Sequence, residues 1–274
     1  MARWTWPSST PKTRRTCRRS ALCRSSSTWI LGTPTSAGIS AAVARSFSRT
    51  RPCGRRWPPV SWAYDASGLN DYKYDPAKSE QLLQQAGYVK GADGIYAKDG
   101  QKLEFSIITN AGNVIRETFI QVAAEQYRQI GVSVEPKTES FEALVDRINT
   151  SKDPKYGDDG GHDFDADVIG WSLTAEPDMY SIWHSNSTHP SENNYIQYKN
   201  PDLDKVIEDS RTHCAQADRK AAIKSANQIL NEEQPYNFGF AQNVLLGVNT
   251  KVQNIIPGPF ARQGQAKPET WWVQ

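Results

Sequence analysis

The sequence predicts an α/β fold, and three observations carry that prediction. Strand-like and helix-like segments alternate from residue 103 to residue 173. Asp75 and Ser140 stand as helix N-caps, and Gly87 and Gly131 as helix stops. Strand–helix–strand–helix–strand over residues 103–173 indicates a parallel α/β unit with right-handed crossovers.

The elements follow in order. Asp75-Pro76 supplies an N-cap and a proline at the first helical position, and the helix runs through Leu82 and Leu83 to Gly87. Asp93-Gly94 and Asp99-Gly100 flank Ile95 to Lys98, which reads as a hairpin. Leu103 to Thr109 is a strand. Asn113 to Ile130 is a helix whose core face is expected to be Ile115, Phe119, Val122, Gln126 and Ile130, with Gly131 as its stop. Val132 to Thr138 is the next strand. Ser140 caps a helix with Phe141, Leu144, Val145 and Ile148 at i, i+3, i+4, i+7. A Gly/Asp-rich loop spans Ser151 to Asp163, and Ala166 to Leu173 is a buried strand. Two helices follow, Pro201 to Cys214 and Asp218 to Glu232, then a strand from Phe238 to Val248 and a tail ending in Trp271-Trp272.

Charge divides the chain. The net charge is +2, yet residues 1–60 hold eleven Arg, Lys12 and no acid. Residues 61–274 carry the remaining 20 basic residues against all 30 acidic ones, a net of −10. Phosphate would repel such a body, which excludes a uniformly basic nucleic-acid-binding domain. Residues 1–59 show neither helical nor strand periodicity and are expected to be disordered. Three origins compete for them: a transit peptide, a basic arm that binds nucleic acid, or a GC-rich reading frame translated out of register. No basic start leads into an apolar stretch with a small-residue cleavage site, so no signal peptide is recognisable. No run approaches the ~18 apolar residues of a membrane span.

The chemistry of enzymes is missing from the motifs. Cys17, Cys23, Cys53 and Cys214 lack the paired spacing of a disulfide framework or zinc site. His162, His184, His189 and His213 lack metal-ligand spacing. Asp163, Asp165 and Asp167 open like a calcium loop, but Val168 and Thr174 stand where Gly and Glu are required. Glu176 and Asp178, separated by Pro177, read as a structured loop and not as an acid–base pair. No phosphate-binding loop or hydrolase elbow occurs, so no catalytic residue, metal site or cofactor is assigned. A parallel sheet binds ligands beyond the carboxyl ends of its strands. That rule points to Trp171, Ser172 and Leu173.

The order and spacing of several stretches resemble the family 5 solute-binding proteins of ABC importers, which take peptides, dipeptides, oligopeptides and nickel. The stretches are Tyr74-Asp75-Pro76-Ala77-Lys78 through Gly87-Tyr88, Ile130-Gly131-Val132, and Phe164 to Trp171. Glu176 to Ser185, Tyr198-Lys199-Asn200-Pro201-Asp202-Leu203-Asp204 and Trp271-Trp272-Val273 complete the set. The resemblance implies a type II periplasmic-binding fold, with two α/β lobes closing on a ligand. This chain would hold the second lobe (60–235) and a hinge strand and tail belonging to the first (236–274), after the head (1–59). Phe238, Phe240, Val244, Leu245, Leu246, Trp271 and Trp272 would then lack their partners.

The resemblance further implies a non-enzymatic monomer that captures short peptides and hands them to a membrane ABC permease, in the periplasm or otherwise outside the cytoplasm. Trp171 would be an apolar wall, and Ser172 and Leu173 would bond the peptide backbone. Asn193, Asn194 and Tyr195 would lie near the cleft, Asn194 and Tyr195 in contact with ligand. Some dipeptide binders place an Asp shortly after the Trp. Leu173-Thr174 occupies that region here, so a charge-based grip on a peptide amine is not expected. Two other readings stand beside this one: a truncated or frameshifted remnant without binding activity, and a nucleic-acid-associated protein using the Arg-rich head.

Overall fold

The computed structural model describes residues 22–32, 61–150, 164–172, 176–187, 192–244, 247–257, 265–266 and 268–274. The predicted Ser151–Asp163 loop, Leu173, Leu245, Leu246 and most of residues 1–59 lie outside them. Strand β1 is Leu22–Gly32, a strand within a stretch expected to carry no regular element. Helix α1 is Pro76–Gln85, opened by Asp75, whose side chain accepts the Lys78 N–H at 2.9 Å. A meander of β2 (Val89–Lys90), β3 (Tyr96–Lys98) and β4 (Gln101–Lys102) follows. Then come β5 (Glu104–Asn110), α2 (Val114–Gln129), β6 (Ser133–Glu139), α3 (Phe141–Thr150) and β7 (Ala166–Ser172). The short α4 (Tyr180–Trp183) precedes α5 (Pro201–Thr212), α6 (Gln216–Glu233) and β8 (Tyr236–Val244). Four two-residue strands, β9 (Val252–Gln253), β10 (Ile256–Pro257), β11 (Gln265–Ala266) and β12 (Trp272–Val273), pair as β9–β12 and β10–β11.

The main sheet has the order β6-β5-β7-β1-β8. β5 is parallel to β6 and β7, while β1 runs antiparallel to both β7 and β8. β1 fills the lane between two strands that run the same way. Alternation along the strands feeds two cores. Ile107, Ala166 and Val168 face Ile120, Ala123, Tyr127, Ile130 and Leu83 on one side. Ile108 and Ile169 face Leu144, Ile148, Trp183, Leu203, Ile223, Leu230 and Tyr236 on the other.

Two expected helix faces are corrected. The buried stripe of α2 is Ile120, Ala123 and Tyr127, while Ile115 and Val122 are exposed. On α3, Leu144 and Ile148 are buried as expected, but Phe141 is exposed. Strand β8, Tyr236–Val244, pairs with β1 inside this sheet. Tyr236 is fully buried against Trp183, at 4.2 Å between ring centroids, and half-buried Phe238 lies 6.3 Å from Trp183. The β1–β8 register skips Gly239, because Trp29 pairs with Phe238 and Thr28 with Phe240. A bulge of one residue turns the next side chain to the opposite face. Phe240 accordingly meets Phe119 of α2 at 5.8 Å. Trp272 remains 54% exposed.

The segment before α1 is tied to α6. The Asn70 N–H donates to Asn231 Oδ1 at 2.7 Å, Asn231 Nδ2 returns a bond to the Asn70 carbonyl at 3.2 Å, and Tyr72 Oη donates to the Asn231 carbonyl at 3.0 Å. Lys224 reaches Ser67 Oγ at 2.6 Å and Asp65 at 3.4 Å.

Candidate ligand site at the carboxyl edge of the sheet

The site begins with an unequal pairing of β7. On its β1 side the ladder continues to Ser172, which pairs with Ser26. On its β5 side it covers only Ala166 and Asp167, opposite Ile107 and Ile108. Thr109 Oγ1 then donates to the Val168 carbonyl at 2.8 Å. β5 ends at Asn110 and turns through Gly112 into α2, so β7 runs on beyond it without a ladder partner on that side among the described residues. Trp171 and Ser172 lie on this projecting end, Trp171 half-buried and Ser172 exposed. Leu173 lies outside the described residues.

Trp171 and Tyr195, 24 positions apart in sequence, form an aromatic platform. Their rings stack with centroids 5.3 Å apart and 21° between planes. The loop carrying Tyr195 is fastened by Asn194, which is 2% exposed. Asn194 Nδ2 donates to the Tyr198 carbonyl at 2.7 Å and the His184 carbonyl at 3.3 Å, while its Oδ1 accepts the Tyr198 N–H at 3.0 Å. The structure thus brings Trp171, Ser172 and Tyr195 to one edge and places Asn194 beneath it as an anchor. Tyr195 Oη reaches Asn193 Oδ1 at 3.4 Å.

His184 braces the same loop. Its Nδ1 accepts the Asn186 N–H at 3.1 Å, Nε2 faces Glu208 Oε1 at 3.1 Å, and its ring stacks on Tyr180 at 4.0 Å. Arg211 covers the Tyr180 ring at 4.1 Å and forks onto Asp178 at 3.1 and 2.6 Å. Burial pulls the Asp178 carboxyl upward, but Arg211 and the Tyr180 N–H outweigh it and hold the group below the usual carboxylate range. Glu176 pairs with Arg219. Both acids of the predicted structured loop are therefore engaged by arginines. Among the described residues no three His, Cys, Asp or Glu side chains gather as metal ligands, and no helix is long and apolar enough to cross a membrane.

Arg116 escaped the sequence reading, and Asp167 entered it only within the failed calcium pattern. Asp167 is fully buried on β7, and neither carboxylate oxygen has a hydrogen-bond partner. Burial drives its pKa well above the ordinary carboxylate value, opposed only by the charge of Arg116. Arg116, half-buried in the first turn of α2, donates to Asn110 Oδ1 at 2.7 Å. Burial lowers its pKa, with Asp167 pulling the other way. Burial, assisted by Asp167, raises the Tyr195 phenol. A legible signal existed: an acid inside the apolar run Ala166-Asp167-Val168-Ile169. A cavity of about 390 Å³, lined by Tyr74, Gln121, Val122, Glu125, Gln126 and Gln129, lies farther along α2.

Comparison with known proteins supplies the family. Residues 52–193 match the family model for bacterial extracellular solute-binding proteins, family 5. The oligopeptide-binding protein AppA of Bacillus subtilis is 34% identical over 220 residues, covering 78% of this chain and 38% of AppA. The solved structure of AppA from Bacillus subtilis in complex with a nonapeptide superposes with a TM-score of 0.76 at 27% identity, covering 93% of this chain and 51% of that one. NikZ from Campylobacter jejuni, solved with Ni(L-His), shares the fold at a TM-score of 0.72 and 20% identity, over 86% of this chain and 49% of NikZ. The chain spans about half the length of these solved relatives. With the α/β sheet, its projecting β7 end and a family model matched over residues 52–193, the chain belongs to the family 5 bacterial extracellular solute-binding proteins.

Proposed function

We propose that this protein is the substrate-binding component of an ABC transporter, that it captures short peptides at the carboxyl edge of the sheet, and that it delivers them to a membrane permease outside the cytoplasm. One observation carries the reading: β7 projects past β5 with its backbone unladdered on that side from Ile169 to Ser172. An extended peptide can add there as a strand, taking affinity from main-chain hydrogen bonds and adaptable contacts from side-chain pockets. Trp171, backed by the buried Tyr195 ring, flanks the free edge and offers apolar area without a formal charge. Such a surface tolerates varied side chains. The peptide-bound AppA structure supports this choice of ligand over the nickel complex of NikZ, whose lower identity speaks only for the fold. A nine-residue extended peptide is about 30 Å long, so it reaches well past the end of one strand.

The test is a thermal melt of the full chain with and without a mixture of peptides of two to nine residues. A ligand stabilises the state that binds it, and 100 times its Kd raises stability by about 2.7 kcal/mol. The melting temperature should rise in the mixture, and Trp171→Ala should abolish most of the rise. An unchanged melting temperature for the unaltered chain overturns the proposal.

A further inference from the structure

We propose that Val114, Ile115 and Phe141 extend the peptide wall beyond Trp171 and make the site selective for apolar side chains; this rests on the peptide reading above. These side chains are 71%, 50% and 56% exposed, among the most exposed large apolar groups of the chain. Single exposed apolar residues are ordinary on a soluble protein, whereas several gathered at one edge and rimmed by polar groups mark a binding surface.

Their placement follows from the register. Asn110 pairs with Glu139, which sets the turn after β5 beside the turn after β6. Ile108 pairs with Asp167, which sets Trp171 level with the turn that opens α2. Val114 and Ile115 begin α2 and Phe141 begins α3. Trp171, the Val114–Ile115 pair and Phe141 therefore mark three points along the carboxyl edge, Val114 and Ile115 opening the helix that covers one face of the sheet and Phe141 opening the helix on the face that Trp171 packs against. A peptide added to the free side of β7 enters the gap that β5 leaves when it turns into α2. Val114 and Ile115 stand at that gap.

The charged groups nearby favour neutral side chains. Arg116 is committed to Asn110, Glu117 accepts the Gly112 N–H at 2.7 Å, and Glu139 is paired with Arg147 at 3.1 Å. Glu142, in the first turn of α3 beside Phe141, is an exposed carboxylate. It repels acidic side chains and leaves apolar contact as the main source of discrimination.

The experiment is calorimetric titration of the full chain with three nine-residue peptides on an alanine background, carrying Leu, Ser or Glu at alternate positions. Burying the extra apolar area should favour the Leu peptide over the Ser peptide by about tenfold or more. Ile115→Ser combined with Phe141→Ser should cut that preference to about threefold. Both positions are exposed, so the variant's far-ultraviolet spectrum and melting temperature should match the unaltered chain; Phe141→Leu should keep the preference. A double variant that keeps the full Leu preference overturns the inference and leaves peptide binding standing. So does an unaltered chain that binds all three peptides equally. If the unaltered chain binds none of them, the peptide reading falls and this inference with it.

Discussion

Replacing Asp167 by Asn should stabilise the protein at neutral pH. The carboxylate is fully buried, neither oxygen is hydrogen-bonded, and its one cationic neighbour, Arg116, is already bonded to Asn110. Leaving a buried polar group unsatisfied costs about 1–3 kcal/mol, and more when it is charged. The amide keeps the shape and removes the charge, so a gain of about 1–3 kcal/mol at pH 7 is expected. For a domain of this size that is a rise of about 3–10 °C in melting temperature. The sign against pH follows from the raised pKa. The unfolded chain gives up its proton near 3.8, whereas the folded protein holds it to higher pH. The contribution of Asp167 to stability is therefore fully present below the unfolded value and is lost as pH rises through the folded one. Urea unfolding of both proteins, followed by circular dichroism from pH 4 to 8, measures this directly. Their difference should be small at pH 4 and widen toward neutrality. Equal stabilities at pH 7, or two parallel pH profiles, would refute the argument.

Three other outcomes are expected. Asn194→Ala removes the bonds to Tyr198 and His184 and should cost about 2–3 kcal/mol in urea unfolding, while weakening peptide binding through the displaced Tyr195. Gly131 has φ +79°, and a Cβ there would stand 2.8 Å from both the Gly94 carbonyl oxygen and Tyr96 Cδ2, so Gly131→Ala should lower stability by at least about 1–3 kcal/mol. Ile120→Ala should cost about 2–5 kcal/mol and Val122→Ser less than about 0.5, which checks by denaturation which stripe of α2 faces the core.

That last contrast shows where the sequence was legible and where it was not. Helix starts were readable where a cap is local: Asp75 and Ser140, expected as caps, accept the Lys78 and Ala143 N–H, and Asn113 and Asn200 do the same for α2 and α5, whereas α6 opens at Gln216 after Ala215, which offers no side-chain cap. The inward face of α2 was not, because the helix carries two apolar stripes. Ile115, Phe119 and Val122 mimic a core face as well as Ile120, Ala123 and Tyr127 do, and only tertiary packing chooses between them. Phe141 misled in the same way. The bulge at Gly239 lies in a run whose alternation looks regular, so the turn of Phe240 toward Phe119 could not be read. Trp171 and Tyr195 were each readable as candidates, but their stacking depends on how Asn194 folds the intervening loop. Asp167 was noticed only as part of a failed calcium pattern, although one acid within an apolar strand was the better clue.

The clamp between residues 65–72 and α6 has a mechanical consequence. Asn70 and Tyr72 stand ahead of α1 and Asn231 stands near the end of α6, yet the two places are bonded to each other across 161 positions of sequence. A contact between such distant positions closes a long loop, and once made it restrains the elements between its two ends. Loosening Asn231 would therefore be felt ahead of α1 as well as in α6, far from the side chain that changed.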